Sequence, residues 1–321
     1  MTGLATDAHR ATADHTVFLC PGQGSQKPGM GADLLGEPTI SRVVSCASKV
    51  FSRDMAALLS SDDPRDIADP QAAQAAIVTL SVAIGRTLME NGVEPCAIAG
   101  FSLGQMSALA LSGMLSDEDA FALVDVRSRI TCEVAAENPG AMSALLKADA
   151  DAVRALCEEC AGNEVLVPAN YNCPGQIVIS GSSSAIEAAE RTWQKHGGRF
   201  ARLATAGGFH SPLMEAARAP FSAYLETVEF AEPRVAVVCN TDGAPLDKAS
   251  VRARLVDHLT HPVQFDRSVR AIIEAHPGCR FVEVGFGGVL SGLVRRIDKD
   301  APRQCVQDAK SLNAFLESRR G

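Results

Sequence analysis

The chain has 321 residues, enough to bury a large core in one sizeable domain or two linked units. Apolar residues make up 46% and the formal net charge is -8, which fits a folded globular chain and argues against nucleic acid, whose phosphates need a basic face. No stretch reads as a membrane span, and residues 1–16 lack the apolar core of a secretory signal, so they read as a flexible N-terminal lead.

Residues 17–20 are a short apolar run that ends in Pro21-Gly22-Gln23-Gly24-Ser25-Gln26, a strand followed by a glycine-rich loop. Asp69-Pro70 opens a helix to about residue 90, closed by Asn91-Gly92. Gln, Thr, Ser and Arg interrupt its apolar stretch, so it reads as a buried helix. Residues 96–100 form another short apolar run, 103–111 a helix, and Ser116 caps a further helix to about 137. Short strands alternating with longer helices predict an α/β fold with a mostly parallel sheet.

A different rhythm follows. Strands at 141–147, 165–170, 176–180 and 200–204, with helices at 151–160 and 184–196, give the order β-α-β-β-α-β. That is the ferredoxin-like signature. It predicts a small ferredoxin-like subdomain at 139–207, inserted into a larger domain made of 17–138 and 208–321. Strands are expected again at 235–239 and 281–284. The ten cysteines are scattered through apolar contexts and read as thiols rather than disulfides. Cys157-Glu158-Glu159-Cys160 lacks a second ligand pair at zinc-site spacing and reads as helix thiols, so no metal is expected.

The chemistry starts at Gly100-Phe101-Ser102-Leu103-Gly104, a Gly-x-Ser-x-Gly pattern between a predicted strand and a predicted helix. Such a turn exposes a serine as a nucleophile, and the alternative is a tight packing turn with an idle serine. A serine needs a base. Of seven histidines, His9 and His15 lie in the lead, His196 ends a helix, and His258, His261 and His276 sit in or beside polar stretches. His210 lies on a Gly-Gly-Phe-His-Ser-Pro loop at the junction of the two units, a favoured place for a site. From the residues alone, packing of that junction is the competing reading.

The whole set resembles the malonyl-CoA:acyl carrier protein transacylase family. The resemblance rests on 21–26, on Gly100 to Gln105, on Arg127, on Asn170-Tyr171-Asn172-Cys173-Pro174-Gly175-Gln176, on Phe209-His210-Ser211-Pro212-Leu213-Met214, on Pro262-Val263-Gln264 and on Val284-Gly285-Phe286-Gly287. It implies an α/β-hydrolase-like large domain, Ser102 as the acylated nucleophile and His210 as its base. It further implies that the Gln264 carbonyl orients His210, and that the Leu103 and Gln23 backbone N–H groups form the oxyanion hole. Arg127 would fork onto the malonyl carboxylate, with Phe209 and Asn172 beside the acyl group and Phe209 crowding an α-methyl branch. The implied partners are malonyl-CoA and an acyl carrier protein. The resemblance also implies a cytoplasmic monomer with no metal or organic cofactor, serving fatty acid biosynthesis. Three features depart from the family pattern: Phe101 stands for the usual His, Gln105 for the usual Glu, and Phe286 for the Pro of a Gly-Pro-Gly turn. A serine hydrolase or thioesterase, a transferase for a polyketide or malonate decarboxylase carrier, and a silent binding module remain as alternatives. The basic stretches Arg295-Arg296 and 191–195 read as solvated surface.

Overall fold

The computed structural model describes residues 15–205 and 207–319. The first part of the chain forms β1 (Thr16–Cys20), α1 (Pro38–Val50), α2 (Met55–Ser60), α3 (Pro70–Glu90), β2 (Pro95–Gly100), α4 (Gly104–Leu111) and α5 (Asp117–Glu137). Then come β3 (Ala141–Ala148), α6 (Ala150–Ala161), β4 (Leu166–Cys173), β5 (Gly175–Gly181), α7 (Ser183–Lys195) and β6 (Arg199–Arg202). The remainder forms a 3-10 turn (Pro212–Met214), α8 (Glu215–Leu225), β7 (Ala236–Val238), β8 (Pro245–Leu246), α9 (Val251–Asp257), α10 (Phe265–Ala275), β9 (Arg280–Val284), α11 (Val289–Ile297), β10 (Arg303–Val306) and α12 (Ala309–Ser318).

Two sheets result, and the fold is mixed α/β. One has six strands in the order β10-β9-β1-β2-β7-β8, parallel except for the β7–β8 pair. The other has four antiparallel strands in the order β4-β5-β3-β6. An isolated bridge joins Pro139 to Gly207 where the chain passes from one sheet to the other and back. A second bridge, Asn170 to Val263, ties β4 to the segment before α10.

Both faces of the parallel sheet are covered, as such sheets require. Strand β1 shows why residues 17–20 are all apolar. Phe18 and Cys20 enter the core under α1, α3, α4 and α5, whereas Val17 and Leu19 enter the core under α10 and α11. Helix α3 is apolar nearly all round and buried on most of its surface, which marks a central helix. It is long and apolar enough to cross a membrane, but 89% of that window is buried inside the protein. Asp69 caps it by accepting from the Ala72 N–H at 2.9 Å, with Pro70 in the first turn. Ser116 caps α5 in the same manner, and Asp117, Glu118 and Asp119 place negative charge at its N-terminus.

One expectation changes. Thr16 is fully buried and already belongs to β1, so the lead ends earlier than residue 16; its residues 1–14 lie outside the described ones. The CxxC thiols do lie on one helix, α6, with Cys157 buried.

Candidate active site

Ser102 sits in the three-residue turn between β2 and α4. Its φ is +51°, the left-handed region that side chains other than glycine rarely occupy. The turn is packed so closely that its flanking glycines are obligatory. A Cβ on Gly104 would lie 1.9 Å from the Cys20 carbonyl oxygen, and one on Gly100 would lie 2.2 Å from the Gln105 nitrogen. The backbone next to the serine is fixed by Phe101 N–H donating to the Cys20 carbonyl at 3.0 Å. Leu103 immediately precedes α4, so its N–H is among the amides that lack an intrahelical acceptor.

His210 faces Ser102 from the loop before the 3-10 turn. It too has a left-handed backbone, with φ +58°. Its Nε2 lies 2.7 Å from Ser102 Oγ, and its Nδ1 lies 2.9 Å from the His258 carbonyl oxygen. A carbonyl can only accept, so Nδ1 carries the proton and donates it. Nε2 is then the free acceptor, and the serine hydroxyl donates to it. Burial, helped by the nearby Arg127 charge, pushes the His210 imidazole down to about 4, so it is neutral at physiological pH.

Arg127 projects from the middle of α5 and is only 7% exposed. Its Nη1 donates to Gln74 Oε1 over a long 3.4 Å, and its Nε has no partner among the described residues. Among the described residues no carboxylate forms an ion pair with it. Desolvation holds its pKa down to about 10, which still leaves it charged at neutral pH. Ser102, His210 and Arg127 line one cavity of about 430 Å³. Gln23, Gln74 and Phe209 also face it, and the end of β6 with the residues after it forms another wall. A larger cavity of about 560 Å³, lined by Ser45, Lys49 and Arg53, contains no nucleophile–base pair.

Two expected placements are corrected. The carbonyl on His210 belongs to His258, not Gln264. Gln264 caps α10, so its carbonyl points into that helix and accepts from Ser268 N–H and Oγ, each at 2.9 Å. His258 ends α9, where carbonyls are left without helical partners and can turn to the imidazole. Asn172 is buried but does not line the cavity; Asn170 does. Asn172 lies at the turn end of β4, where the ladder to β5 skips from Tyr171 to Cys173.

The sequence departures have physical places. Phe101 lies edge-on to Phe265 with ring centroids 5.5 Å apart, so an apolar contact fills the position. Gln105 is buried, and its Oε1 accepts from Asn240 N–H at 3.0 Å and Nδ2 at 2.7 Å. An amide there keeps these bonds without burying a carboxylate charge. Phe286 packs against the main core.

His258 is the residue the sequence reading passes over. Its ring lies 5.0 Å from that of His210, centroid to centroid, and neither ring nitrogen has a hydrogen-bond partner among the described residues. Burial keeps it neutral, and the nearby Arg127 charge acts in the same direction. A signal for it exists: with Val251, Leu255 and Leu259 it occupies the apolar positions of one helix face.

The model of the acyl transferase domain family matches residues 17–313. A malonyl CoA-acyl carrier protein transacylase of Bacillus subtilis is 33% identical over 306 residues, covering 94% of this chain and 96% of that protein. The crystal structure of a malonyl-CoA:acyl carrier protein transacylase from Xanthomonas oryzae pv. oryzae superposes with a TM-score of 0.91 at 34% identity, covering 96% of this chain and 99% of that one. A malonyl-transacylase solved in complex with its type II PKS acyl-carrier protein also gives a TM-score of 0.91 at 34% identity, covering 95% of this chain and 99% of that one.

Proposed function

The chain belongs to the acyl transferase domain family, and on that premise we propose that it transfers a malonyl group from malonyl-CoA to the phosphopantetheine thiol of an acyl carrier protein. One observation carries the reading: a neutral imidazole 2.7 Å from a serine hydroxyl shares a cavity with a buried guanidinium that has no anionic partner among the described residues. The first pair does acyl transfer, and the guanidinium selects an acyl group that ends in a carboxylate.

His210 Nε2 takes the Ser102 proton as Oγ attacks the malonyl thioester carbon. The tetrahedral oxyanion is held by the Leu103 and Gln23 N–H groups, where each donor is worth about 3 kcal/mol of barrier. The carbon–sulfur bond then breaks, and the CoA sulfur leaves with the proton from His210. In the second half the carrier thiol gives its proton to His210 and attacks the malonyl-serine ester. Ser102 Oγ leaves and regains that proton. The His258 carbonyl keeps the imidazole in the tautomer that serves both halves, and occupies the place a triad carboxylate takes in serine hydrolases. That supports transfer over hydrolysis.

Arg127 binds the malonyl carboxylate, and Phe209 crowds an α-methyl branch. We read the six-stranded sheet with its helices as an α/β-hydrolase-like catalytic body, 17–138 and 208–321, and the four-stranded one, 139–207, as ferredoxin-like. The enzyme acts as a cytoplasmic monomer in fatty acid biosynthesis. A polyketide carrier is the second reading, favoured by the carrier complex of a similar transacylase. The test is incubation with malonyl-CoA and each holo carrier protein. Malonyl-carrier should form, fastest on the true partner. Rapid release of free malonate with no carrier present, and no malonyl-carrier with either, would refute transfer.

A further inference from the structure

The N-terminal edge of the six-stranded sheet holds a cluster that acyl transfer does not use. His15 immediately precedes β1, Cys96 is the second residue of β2, and His276 follows α10 shortly before β9. These strands are neighbours in the order β9-β1-β2, so the sheet gathers residues that are far apart in the chain. One ligand atom from each, a thiol sulfur and two ring nitrogens, all lie within 4.8 Å of one another. Among the described residues this is the one such group of three or more His, Cys, Asp or Glu side chains.

Local backbone holds each member in place. In the β1–β2 ladder Thr16 pairs with Pro95 and Val17 with Ala97, which leaves Cys96 as the extra residue of a bulge. Side chains on a regular strand alternate between faces, and a bulge re-aims one. Cys96 accordingly packs in the same core layer as Ala97. The His15 carbonyl accepts from Arg280 N–H at 2.8 Å. His276 donates its N–H to the Ile272 carbonyl at 2.8 Å and accepts from Cys279 N–H at 3.1 Å. The two imidazoles meet edge to face, 5.9 Å between centroids. His15 is exposed while Cys96 and His276 are half-buried, so one side of the cluster is open to solvent and the other is backed by core.

Two imidazoles and one thiolate form a borderline-soft donor set that suits zinc, which takes such ligands tetrahedrally at roughly 2.0–2.3 Å. We propose that His15, Cys96 and His276 bind one Zn2+ ion, with water as the fourth ligand. On binding, the sulfur–metal bond forms as the Cys96 proton leaves to buffer; the imidazoles bond through lone pairs, and no redox change occurs. The ion clips together the starts of β1 and β2 and the turn before β9. Ser102 follows the opposite end of β2, about 20 Å away along an extended strand. The site therefore acts on stability and not on the reaction.

The test is titration of the chelator-treated full chain with Co2+ as a spectroscopic stand-in, then with Zn2+. One equivalent of Co2+ should give the visible bands of a tetrahedral site and a near-ultraviolet thiolate-to-cobalt band, which Zn2+ abolishes. The melting temperature should rise with the logarithm of free zinc. Cys96→Ser should lose the thiolate band and His276→Ala the stoichiometric binding, with malonyl transfer unchanged in both. The exposed position offers a variant that leaves the core intact, and His15→Ala should also weaken binding. No thiolate band in the unmodified protein, a band that persists in Cys96→Ser, or undiminished affinity in His15→Ala would each overturn the proposal.

Discussion

Replacing Arg127 with Met removes the charge while keeping most of the side-chain volume. In the free protein Arg127 is 7% exposed, with one long bond to Gln74 and, among the described residues, an unpartnered Nε. Its planar fork is shaped for a carboxylate that none of the described residues supplies. Hydrogen bonds to charged groups are worth roughly 1.5–3 kcal/mol each, so losing a bidentate pair should raise the malonyl barrier by about 3–5 kcal/mol. That is a fall of roughly 10²- to 10⁴-fold in kcat/KM for malonyl-CoA. Acetyl-CoA offers no carboxylate, and its transfer should hold or improve. The melting temperature should stay level or rise, because a desolvated charge without a partner has been removed. Arg127 also depresses His210, so Arg127→Met should move the imidazole pKa upward. The assay compares both acyl-CoAs with one holo carrier, alongside thermal unfolding. Equal losses for malonyl and acetyl, or a melting temperature lower by several degrees, would refute the reasoning and make Arg127 a scaffold residue.

Three further outcomes are expected. Folded His210 titrates at about 4 and the unfolded imidazole at 6.5. Stability should therefore be complete above pH 6.5 and decline as pH falls toward 4, by about 3 kcal/mol from His210 at 1.36 kcal/mol per unit. His258, also lowered, should add to this decline in the same direction. Chemical denaturation across that range checks it, and stability that is flat or rises on acidification contradicts it. Gly104→Ala should abolish transfer and lower the melting temperature, since its Cβ would stand 1.9 Å from a backbone oxygen; Gly36→Ala, with nothing within 4 Å, is the control and should leave transfer intact. Phe209→Ser should raise methylmalonyl transfer relative to malonyl by about 10- to 100-fold, the usual worth of one methyl in a pocket. An unchanged ratio would remove Phe209 from the selectivity account.

The serine elbow is legible in the sequence because strand, Gly-x-Ser-x-Gly and helix are contiguous, and the glycines answer to contacts only a few residues away. His210 is legible from its loop and from the family pattern. The wrong carbonyl is predicted for it because the choice between His258 and Gln264 depends on where two helices end and on which way their terminal carbonyls point. Asn170 and Asn172 have the same spacing signal; only the irregular β4–β5 ladder separates the one facing the cavity from the one at the turn. Helix α1 carries a readable stripe at Ile40, Val43, Val44 and Ala47 after Pro38, whereas β8 has only two residues and offers no pattern. The meeting of His15, Cys96 and His276 depends on strand order, which no local signal encodes.

Acylation of the serine at the β2–α4 turn can be observed directly. Intact-protein mass spectrometry after brief exposure to malonyl-CoA should show one malonyl group per chain, located on Ser102 by peptide mapping and discharged when holo carrier protein is added. Ser102→Ala should gain no mass. An adduct on another residue, or full transfer to the carrier by a chain that never acquires one, would contradict the account.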